Sequence, residues 1–411
     1  MEYFDRLGER IYGLWQAKDL DERELPAIAE RALVDDPAHR QVSSLEPLLW
    51  LRDRTTLPEQ LDFPGMFGQP PLTLYRRGPL VVDVYYWLDG TTSIHQHAFS
   101  GAFQVLSGSS IHTHYGFTPH ERIHSRMQLG ALALQGSEYL AAGATRQIQS
   151  GNRFIHALFH LDRPSVTVVV RSVDESDTLP QFNYHRPSVA IDVPARSDAV
   201  FTRQLQALRI LKEGDPAGFD GMVSQLSRSV DFYKFFLLLR ECARIEGDVD
   251  LIAERLQRGR ERHGARVDLL HDVFREELRQ SAIISRRRHV RDKDHRFFLA
   301  LLANATSRSM LLDLVAQSHP ERDPVDHVMG WIRELVSAKS SLRDSDSNAF
   351  GLPLDDEMLE LMSLLLRGRS KDEIRAELAS SGYDTEGLDG QVATFSEALR
   401  RSYMLSVLFA T

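Results

Sequence analysis

The stretch VVDVYYWLDGTTSIHQHAFSGAFQVLSG, residues 81–108, decides how this sequence is expected to fold. Its apolar runs are short, rich in Val, Tyr and Phe, and separated by Gly, Ser and Asp, which is typical of β-strands joined by tight turns. The same pattern extends from Leu72 to Val173, with about ten short strands and no helical segment between them. Such a run predicts a closed antiparallel barrel or a sandwich, because a parallel sheet would need a helix between successive strands.

Both flanks of this stretch show helical periodicity instead. Near the N-terminus, Phe4, Leu7 and Ile11 recur at the three-to-four-residue spacing of an apolar helix face. Beyond about residue 199, apolar stripes of the same kind continue to the end of the sequence. We therefore predict an α+β protein with a short N-terminal helical segment at 1–68, an antiparallel β-barrel at 69–175, a linker at 176–198 and an all-α domain at 199–411.

Composition excludes several classes of protein. The 411 residues include 49 Lys and Arg against 58 Asp and Glu, and the net charge of -9 argues against a general nucleic-acid-binding protein. The single cysteine, Cys242, excludes an intrachain disulfide and a cysteine-rich metal site. No apolar run approaches the roughly 20 residues of a membrane span, and MEYFDRLGER does not resemble a cleavable signal. We expect a soluble cytoplasmic protein.

Histidine is unusually clustered, since 9 of the 16 histidines lie between His95 and His185. Alternate residues of a strand share a face, so His95 and His97 are expected to point the same way and to ligate one metal ion. A third ligand must come from a distant strand, and His156 in SGNRFIHALFH is the candidate. A second His-x-His pair, His112 and His114, could replace His156 as a ligand or flank the pocket.

The order of these motifs resembles the cupin superfamily. The motifs are Trp87-Leu-Asp-Gly90, Ser93-Ile-His95-Gln-His97, Val105-Leu-Ser-Gly108 and a late Gly…His. Most cupins carry a glutamate four residues after the His-x-His pair, where this sequence has Gly101. Because it lacks this glutamate, the sequence resembles the three-histidine branch of the superfamily, which is typified by cysteine dioxygenase. The resemblance implies a cupin-like barrel that holds iron(II) through His95, His97 and His156.

The same resemblance implies roles for residues outside the triad. In that family the arginine of a Tyr-x-Arg pair binds the substrate carboxylate, and the pair corresponds to Tyr75 and Arg77. The family's Ser–His–Tyr relay falls on Thr167, Val169 and Arg171, so free cysteine is not the expected substrate. Arg171 in place of the phenol favours an anionic substrate.

These inferences combine into a functional hypothesis. The chain is expected to be a mononuclear non-haem iron(II) oxygenase that acts with dioxygen on a small anionic substrate or a peptide. Gln104 and His160, together with His112, His114 and Arg171, are further candidates for the pocket. One alternative is a non-catalytic metal- or ligand-binding sensor that uses its helical domain for a protein partner or self-association. Another is a cupin isomerase or lyase that uses nickel, manganese or zinc.

Overall fold

The computed structural model describes residues 1–61, 68–88, 90–91, 93–173, 181–192, 198–337, 350, 352 and 354–409. The chain begins with four helices, α1 (Glu2–Gln16), α2 (Leu25–Asp35), α3 (Ala38–Gln41) and α4 (Glu46–Leu51). Ten strands follow: β1 (Pro71–Arg77), β2 (Leu80–Trp87), β3 (Gly90–Thr91), β4 (Ile94–His97), β5 (Gly101–Ser107), β6 (Ser110–His124), β7 (Met127–Leu140), β8 (Thr145–Ile148), β9 (Gly151–His160) and β10 (Ser165–Ser172). Two short strands, β11 (Asn183–His185) and β12 (Val189–Ile191), complete the β region.

Six strands form a closed antiparallel ring. Hydrogen-bonded neighbours run β9–β4–β11–β12–β7–β6, and β6 pairs back onto β9 to close the circuit. The remaining strands β1, β2, β10, β5 and β8 form a second antiparallel sheet in the order β1–β2–β10–β5–β8. Apolar side chains of both sheets, including Tyr85, Phe103 and Leu158, form one buried cluster. The predicted barrel is therefore confirmed.

The N-terminal helices cover the outer face of the five-stranded sheet. Phe4, Leu7 and Ile11 of α1 are at most 2% exposed and belong to one core cluster with Val82 and Val168 of the sheet. The spacing of these helical residues puts them on a single face, which is why this amphipathic helix packs on the sheet. This arrangement leaves the other face of the sheet for the barrel interior.

Two strands lie inside the segment 176–198 that the sequence predicts to be a linker. β11 pairs with β4, and β12 pairs with β7, so together they complete the ring. Each strand has only three residues, too few to show the alternation by which a strand is recognised in a sequence. Their pairing is set by the partner strands and not by their own pattern.

The described residues after Asp198 form helices and the short connections between them, as predicted. These helices are α5 (Ala199–Gly214), α6 (Pro216–Ser229), α7 (Phe232–Glu246), α8 (Val249–His263), α9 (Asp268–His289), α10 (Lys293–Asn304), α11 (Arg308–Ser318), α12 (Pro324–Ser337), α13 (Asp356–Leu366), α14 (Lys371–Ser380), α15 (Leu388–Arg401) and α16 (Ser406–Phe409). Asp231 caps α7 by accepting a hydrogen bond from the Lys234 backbone N–H at 2.8 Å.

The chain divides into two compact units, Met1–Leu278 and Arg279–Thr411. In the first unit, Val189 and Ile191 of β12 share a buried cluster with Phe236 and Leu239 of α7. The second unit has its own buried residues, such as Phe298 of α10. The division falls within α9 and not at the start of the helical region, because α5 to α8 and the first part of α9 share a buried cluster with strands β7 and β12 of the barrel.

Among the described residues, none of the helices combines the length and the apolar composition that crossing a membrane requires.

Gln104 on β5 connects the barrel to the N-terminal helices. It is fully buried; its Oε1 accepts from the Ala38 N–H at 2.8 Å, and its Nε2 donates to the Leu33 carbonyl at 2.8 Å. We predict that Gln104→Leu destabilises the first unit by about 2–4 kcal/mol, since it leaves two buried backbone groups unpaired. Urea unfolding followed by tryptophan fluorescence measures the effect.

The matched control for this variant is Gln147→Leu. Gln147 on β8 also reaches α2, but it does so through a partly exposed bond to the Glu30 carboxylate at 2.7 Å. A loss of stability as large as that of Gln104→Leu would contradict the role given to the buried amide.

Candidate metal centre

Three histidines from two neighbouring strands meet inside the barrel. His95 and His97 lie on β4 at alternate positions, and His95 is directly opposite His156 of β9 in the antiparallel ladder. Each of the three residues is at most 4% exposed. One ring nitrogen from each lies within 4.8 Å of the others. The structure thus brings together the three histidines that the sequence singles out.

The spacing of the nitrogens fits a single metal ion. Nε2 of His97 and Nε2 of His156 are 2.8 Å apart. Two nitrogens each about 2.1 Å from one ion, at right angles to each other, would be separated by about 3 Å. Nδ1 of His95 is 2.7 Å from the Ser93 carbonyl, to which it donates as the Nδ1–H tautomer. That tautomer leaves Nε2 of His95 as the ligand atom, so this donor set suits a divalent transition metal.

Burial keeps the three imidazoles neutral. Desolvation lowers the pKa of His95 to about 4, although the hydrogen bond to Ser93 acts in the opposite direction. The pKa of His97 and that of His156 are also well below the usual value, first because of burial and then because of neighbouring histidines. A metal ion binds the neutral form of imidazole, so these residues are ready ligands at neutral pH.

The second His-x-His pair lies beside the triad, and both of its histidines approach the carboxylate of Glu138. His112 of β6 is fully buried, with Nδ1 2.9 Å from Oε1 of Glu138 and Nε2 3.0 Å from Nδ1 of His156. His114 is partly exposed, with Nε2 3.6 Å from the same carboxylate oxygen. His112, His114 and Glu138 also meet the geometric requirements for a metal site, with ligand atoms within 4.8 Å of one another.

Glu138 is a residue that the sequence analysis missed. It lies on β7 opposite His112, and its carboxylate also pairs with Arg146 of β8. Burial would raise the pKa of Glu138, but hydrogen bonds from His112, His114 and Arg146 outweigh it, so the pKa is well below its usual value. A glutamate in QGSEYL carries no local signal, and its place beside His112 follows only from the pairing of β6 with β7.

A small cavity lies next to the triad. Its volume is about 30 Å³, and its lining residues are Tyr85, Trp87, His95, His97, Phe99, Phe103, Ile148, His156, Leu158, Thr167 and Val169. Thr167 and Val169, the first two positions to which the resemblance assigns the Ser–His–Tyr relay, face this cavity. Thr167 keeps a hydroxyl at the serine position, but Val169 has no polar side-chain atom with which to continue a relay. The space suits one or two water-sized molecules beside the metal position.

Arg171, the third relay position, is held by a buried carboxylate. Its Nε is 2.8 Å from Oδ2 of Asp83, and its guanidinium lies 4.9 Å from the centroid of the Phe99 ring. Tyr85 donates to the same Oδ2 at 3.1 Å, and Thr73 donates to Oδ1 at 2.7 Å. The charge of Arg171 is therefore compensated by Asp83, which weakens it as a cation for an anionic substrate.

Tyr75 and Arg77 are not brought to the triad. The hydroxyl of Tyr75 donates to Glu9 of α1 at 2.9 Å, and Arg77 pairs with the same carboxylate while stacking on Tyr12. The reason is a β-bulge between Thr73 and Tyr75, where the pairing with β2 shifts by one residue. A bulge turns the following side chains to the opposite face, and here that face is covered by α1.

Two further pocket candidates have structural surroundings of their own. Gln104 faces the N-terminal helices, as described above, because it alternates with Phe103 on β5. His160 stacks on Trp87 with ring centroids 4.4 Å apart, and its Nδ1 lies 3.1 Å from the Ser110 hydroxyl. Burial lowers the pKa of His160 to about 3. Neither residue lines the cavity at the triad.

No protein-family model and no curated protein matches this chain. Parts of it are similar to solved structures. A conserved protein of unknown function from Streptococcus pyogenes is 19% identical, over 26% of this chain and 75% of that chain, with a TM-score of 0.19. The hydroquinone 1,2-dioxygenase PnpCD is 15% identical over 24% of this chain and 61% of its own, with a TM-score of 0.19. An oxalate oxidase is 17% identical over 35% and 64%, with a TM-score of 0.18. The chain thus spans less than two thirds of the two enzymes, and TM-scores this low assign neither a family nor an activity.

The ion pair of Arg171 and the ion pair of Arg77 should differ in their effect on stability. Arg171→Met leaves Asp83 charged and without its buried partner, so we predict a loss of about 3–5 kcal/mol in the free energy of unfolding. Arg77→Met is the matched control, because its side chain is 48% exposed and water can solvate Glu9 after the change. Equal losses in chemical denaturation would contradict this distinction.

The buried histidines predict that the metal-free protein becomes less stable in mild acid. A histidine whose folded-state pKa lies below about 6.5 disfavours folding once protons bind the unfolded chain. Stability should therefore fall as the pH drops from about 6.5 towards 4, by up to about 1.4 kcal/mol per pH unit for each such residue, and stay level above that range. Melting temperatures of chelator-treated protein at several pH values measure this.

His160→Gln tests whether buried histidines cause the predicted loss of stability in acid, and it leaves the three histidines of the triad in place. The variant removes one buried imidazole, so its melting temperature should decline less steeply between pH 6.5 and 4. His120→Gln, at an exposed position of β6, serves as the control and should follow the wild-type profile. An unchanged slope in His160→Gln would count against the predicted titration.

Proposed function

We propose that this protein is a mononuclear metal-dependent oxygenase of the three-histidine cupin type, with iron(II) held by His95, His97 and His156. The convergence of three buried, neutral imidazoles beside a cavity is the observation that supports this proposal. An iron(II) ion would supply the redox chemistry that activates dioxygen. The protein residues would hold that ion, exclude bulk water and orient the organic substrate.

The donor set favours an anionic substrate. Three neutral imidazoles bring no negative charge, so a bound divalent ion would keep its full charge and attract a thiolate, an enolate or a carboxylate. Arg171 contributes little to this attraction, since Asp83 compensates its charge inside the barrel. We propose a small organic anion or the acidic group of a peptide as the substrate, and not free cysteine.

The walls of the site would determine how the substrate is held. Phe99 and Phe154 lie against the triad, with ring centroids 4.4 Å from those of His97 and His156 respectively. Trp87 and Phe103 close other sides of the cavity. Apolar walls of this kind strengthen electrostatic interactions at the metal by lowering the local dielectric constant. Admission of a substrate larger than the cavity requires Phe99 or a neighbouring side chain to move.

A second candidate function is a metal-dependent sensor without catalysis. The cavity of about 30 Å³ favours it, because this volume takes a water-sized ligand and not an organic substrate in the conformation described. In such a protein, the metal would bind a small ligand, and the helical region would respond. The two candidates share the triad and differ in whether dioxygen is consumed.

Metal analysis of anaerobically purified protein tests the proposal. We expect about one iron ion per chain in the wild type and none in His97→Ala, because a triad with two remaining ligands binds metal poorly. His120→Ala, at an exposed site, should keep the wild-type metal content. Iron-loaded protein should then consume dioxygen with at least one of a panel of small thiols, hydroxy acids and acidic peptides.

The outcomes separate the candidates. Iron without dioxygen consumption by any of these substrates favours the sensor. Stoichiometric zinc, nickel or manganese in place of iron favours an isomerase or lyase in which the metal acts as a Lewis acid. A wild type without stoichiometric metal, or a His97→Ala variant that retains it, contradicts the proposed metal centre.

A further inference from the structure

A continuous chain of hydrogen bonds leads from the triad towards the surface of the barrel. Nδ1 of His156 is 3.0 Å from Nε2 of His112, and Nδ1 of His112 is 2.9 Å from Oε1 of Glu138. Nε of Arg146 in turn donates to Oε1 of Glu138 at 2.9 Å. His112 is completely buried, and Glu138 is 26% exposed. His112 and Glu138, the two inner members of the chain, each have a hydrogen-bond partner on both sides.

Counting protons along this chain fixes the tautomers. If His156 ligates a metal through Nε2, its only N–H is at Nδ1, which must then donate to Nε2 of His112. His112 consequently carries its own proton at Nδ1 and donates it to Glu138. The carboxylate accepts this bond, so every donor meets an acceptor. The observed distances fit this arrangement without any change of side-chain position.

The same count excludes simultaneous metal binding by the second cluster. A metal held by His112, His114 and Glu138 would need the lone pair of Nδ1 of His112, the atom that faces the carboxylate. The proton of His112 would then move to Nε2 and be donated to Nδ1 of His156. Nε2 of His156 would have to carry a proton and could not ligate. The two clusters therefore compete for one set of protons.

Arg146 favours one of the two arrangements. It pairs with both oxygens of Glu138, which holds the carboxylate in place and compensates its charge. A second metal would have to compete with this guanidinium for the carboxylate. In contrast, the triad consists of three histidines and contains no carboxylate, so no paired cation competes with a metal there. The charges and the hydrogen bonds thus favour metal at the triad, with Glu138 as an acceptor.

We infer that His112 and Glu138 are positioning residues for His156, so that the cluster His112, His114 and Glu138 supports the metal centre and does not bind a second metal. This inference rests on the metal centre proposed above. It predicts one metal ion per chain, although two groups of ligands are present. It also assigns different roles to the two members of the second His-x-His pair. His112 is hydrogen-bonded to Nδ1 of His156, whereas His114, which lies opposite His156 in the β6–β9 ladder, directs its Nε2 towards the Glu138 carboxylate.

Titration of the metal-free full-length protein with Co²⁺ tests the inference. The visible absorption of Co²⁺ reports both affinity and ligand geometry, and it requires no activity. We expect the wild type to bind one Co²⁺ per chain. His112→Leu should lower the affinity by 10- to 100-fold, about the effect of losing such a supporting hydrogen bond, and alter the absorption spectrum. His114→Leu is the matched control and should change neither quantity appreciably.

His112→Gln separates positioning from a general loss of packing. The Oε1 of glutamine can accept the bond from Nδ1 of His156, so this variant should recover part of the affinity and the wild-type spectrum. Glu138→Gln should weaken Co²⁺ binding less than His112→Leu, because it acts on His156 only through His112. Circular dichroism of each variant confirms that the barrel is folded before the titration is interpreted.

Several results would overturn the inference. Two Co²⁺ ions per chain, with His112→Leu and His114→Leu each losing one, would show that the second cluster is a metal site of its own. An unchanged affinity and spectrum in folded His112→Leu would show that His156 needs no support. The proposed metal centre itself would be contradicted if the wild type bound no Co²⁺, or if the His97→Ala variant still bound it.

Discussion

The antiparallel pairing of β4 with β9 is the contact on which the candidate site depends. It places His95 opposite His156, while the alternation of the strand puts His97 on the same face as His95. A slip of one residue would turn His156 out of the interior and leave only two ligands. The register is held on both sides, because β9 also pairs with β6 and β4 also pairs with β11. The strand pairings that close the ring are thus the ones that hold the three ligands in position.

Burial of this pairing inside the barrel determines the chemistry of the ligands. Desolvation keeps the imidazoles in their neutral, metal-binding form, and it also makes any unpaired polar atom costly. The chain satisfies this requirement by surrounding the ligands with partners, with a carbonyl behind His95 and an imidazole and a carboxylate behind His156. Those partners set the tautomers, which decide the nitrogen that each ligand presents.

The three histidines of the triad could be singled out from the sequence because their signals are local. His95 and His97 are two residues apart on a strand, and His156 lies five residues after Gly151, within the apolar run FIHALFHL. Arg77 could not be placed in this way, because one extra residue in β1 reverses the side-chain direction and no composition rule marks that bulge. Nor could Glu138, whose relation to the triad passes through His112 and depends on the register of β6 with β7 and with β9.

The class of fold and the ligand type, histidine, follow from local patterns in the chain. Alternating apolar and polar residues between turn residues predict strands, and apolar residues every three to four positions predict helices. Both patterns can be recognised within a short segment of the sequence. Long-range pairing places β11 and β12 in the ring, turns Arg77 towards α1 and brings His112 to His156. These features depend on which distant strands pair and in what register. That choice is made by the burial of whole faces and not by any short stretch of the chain.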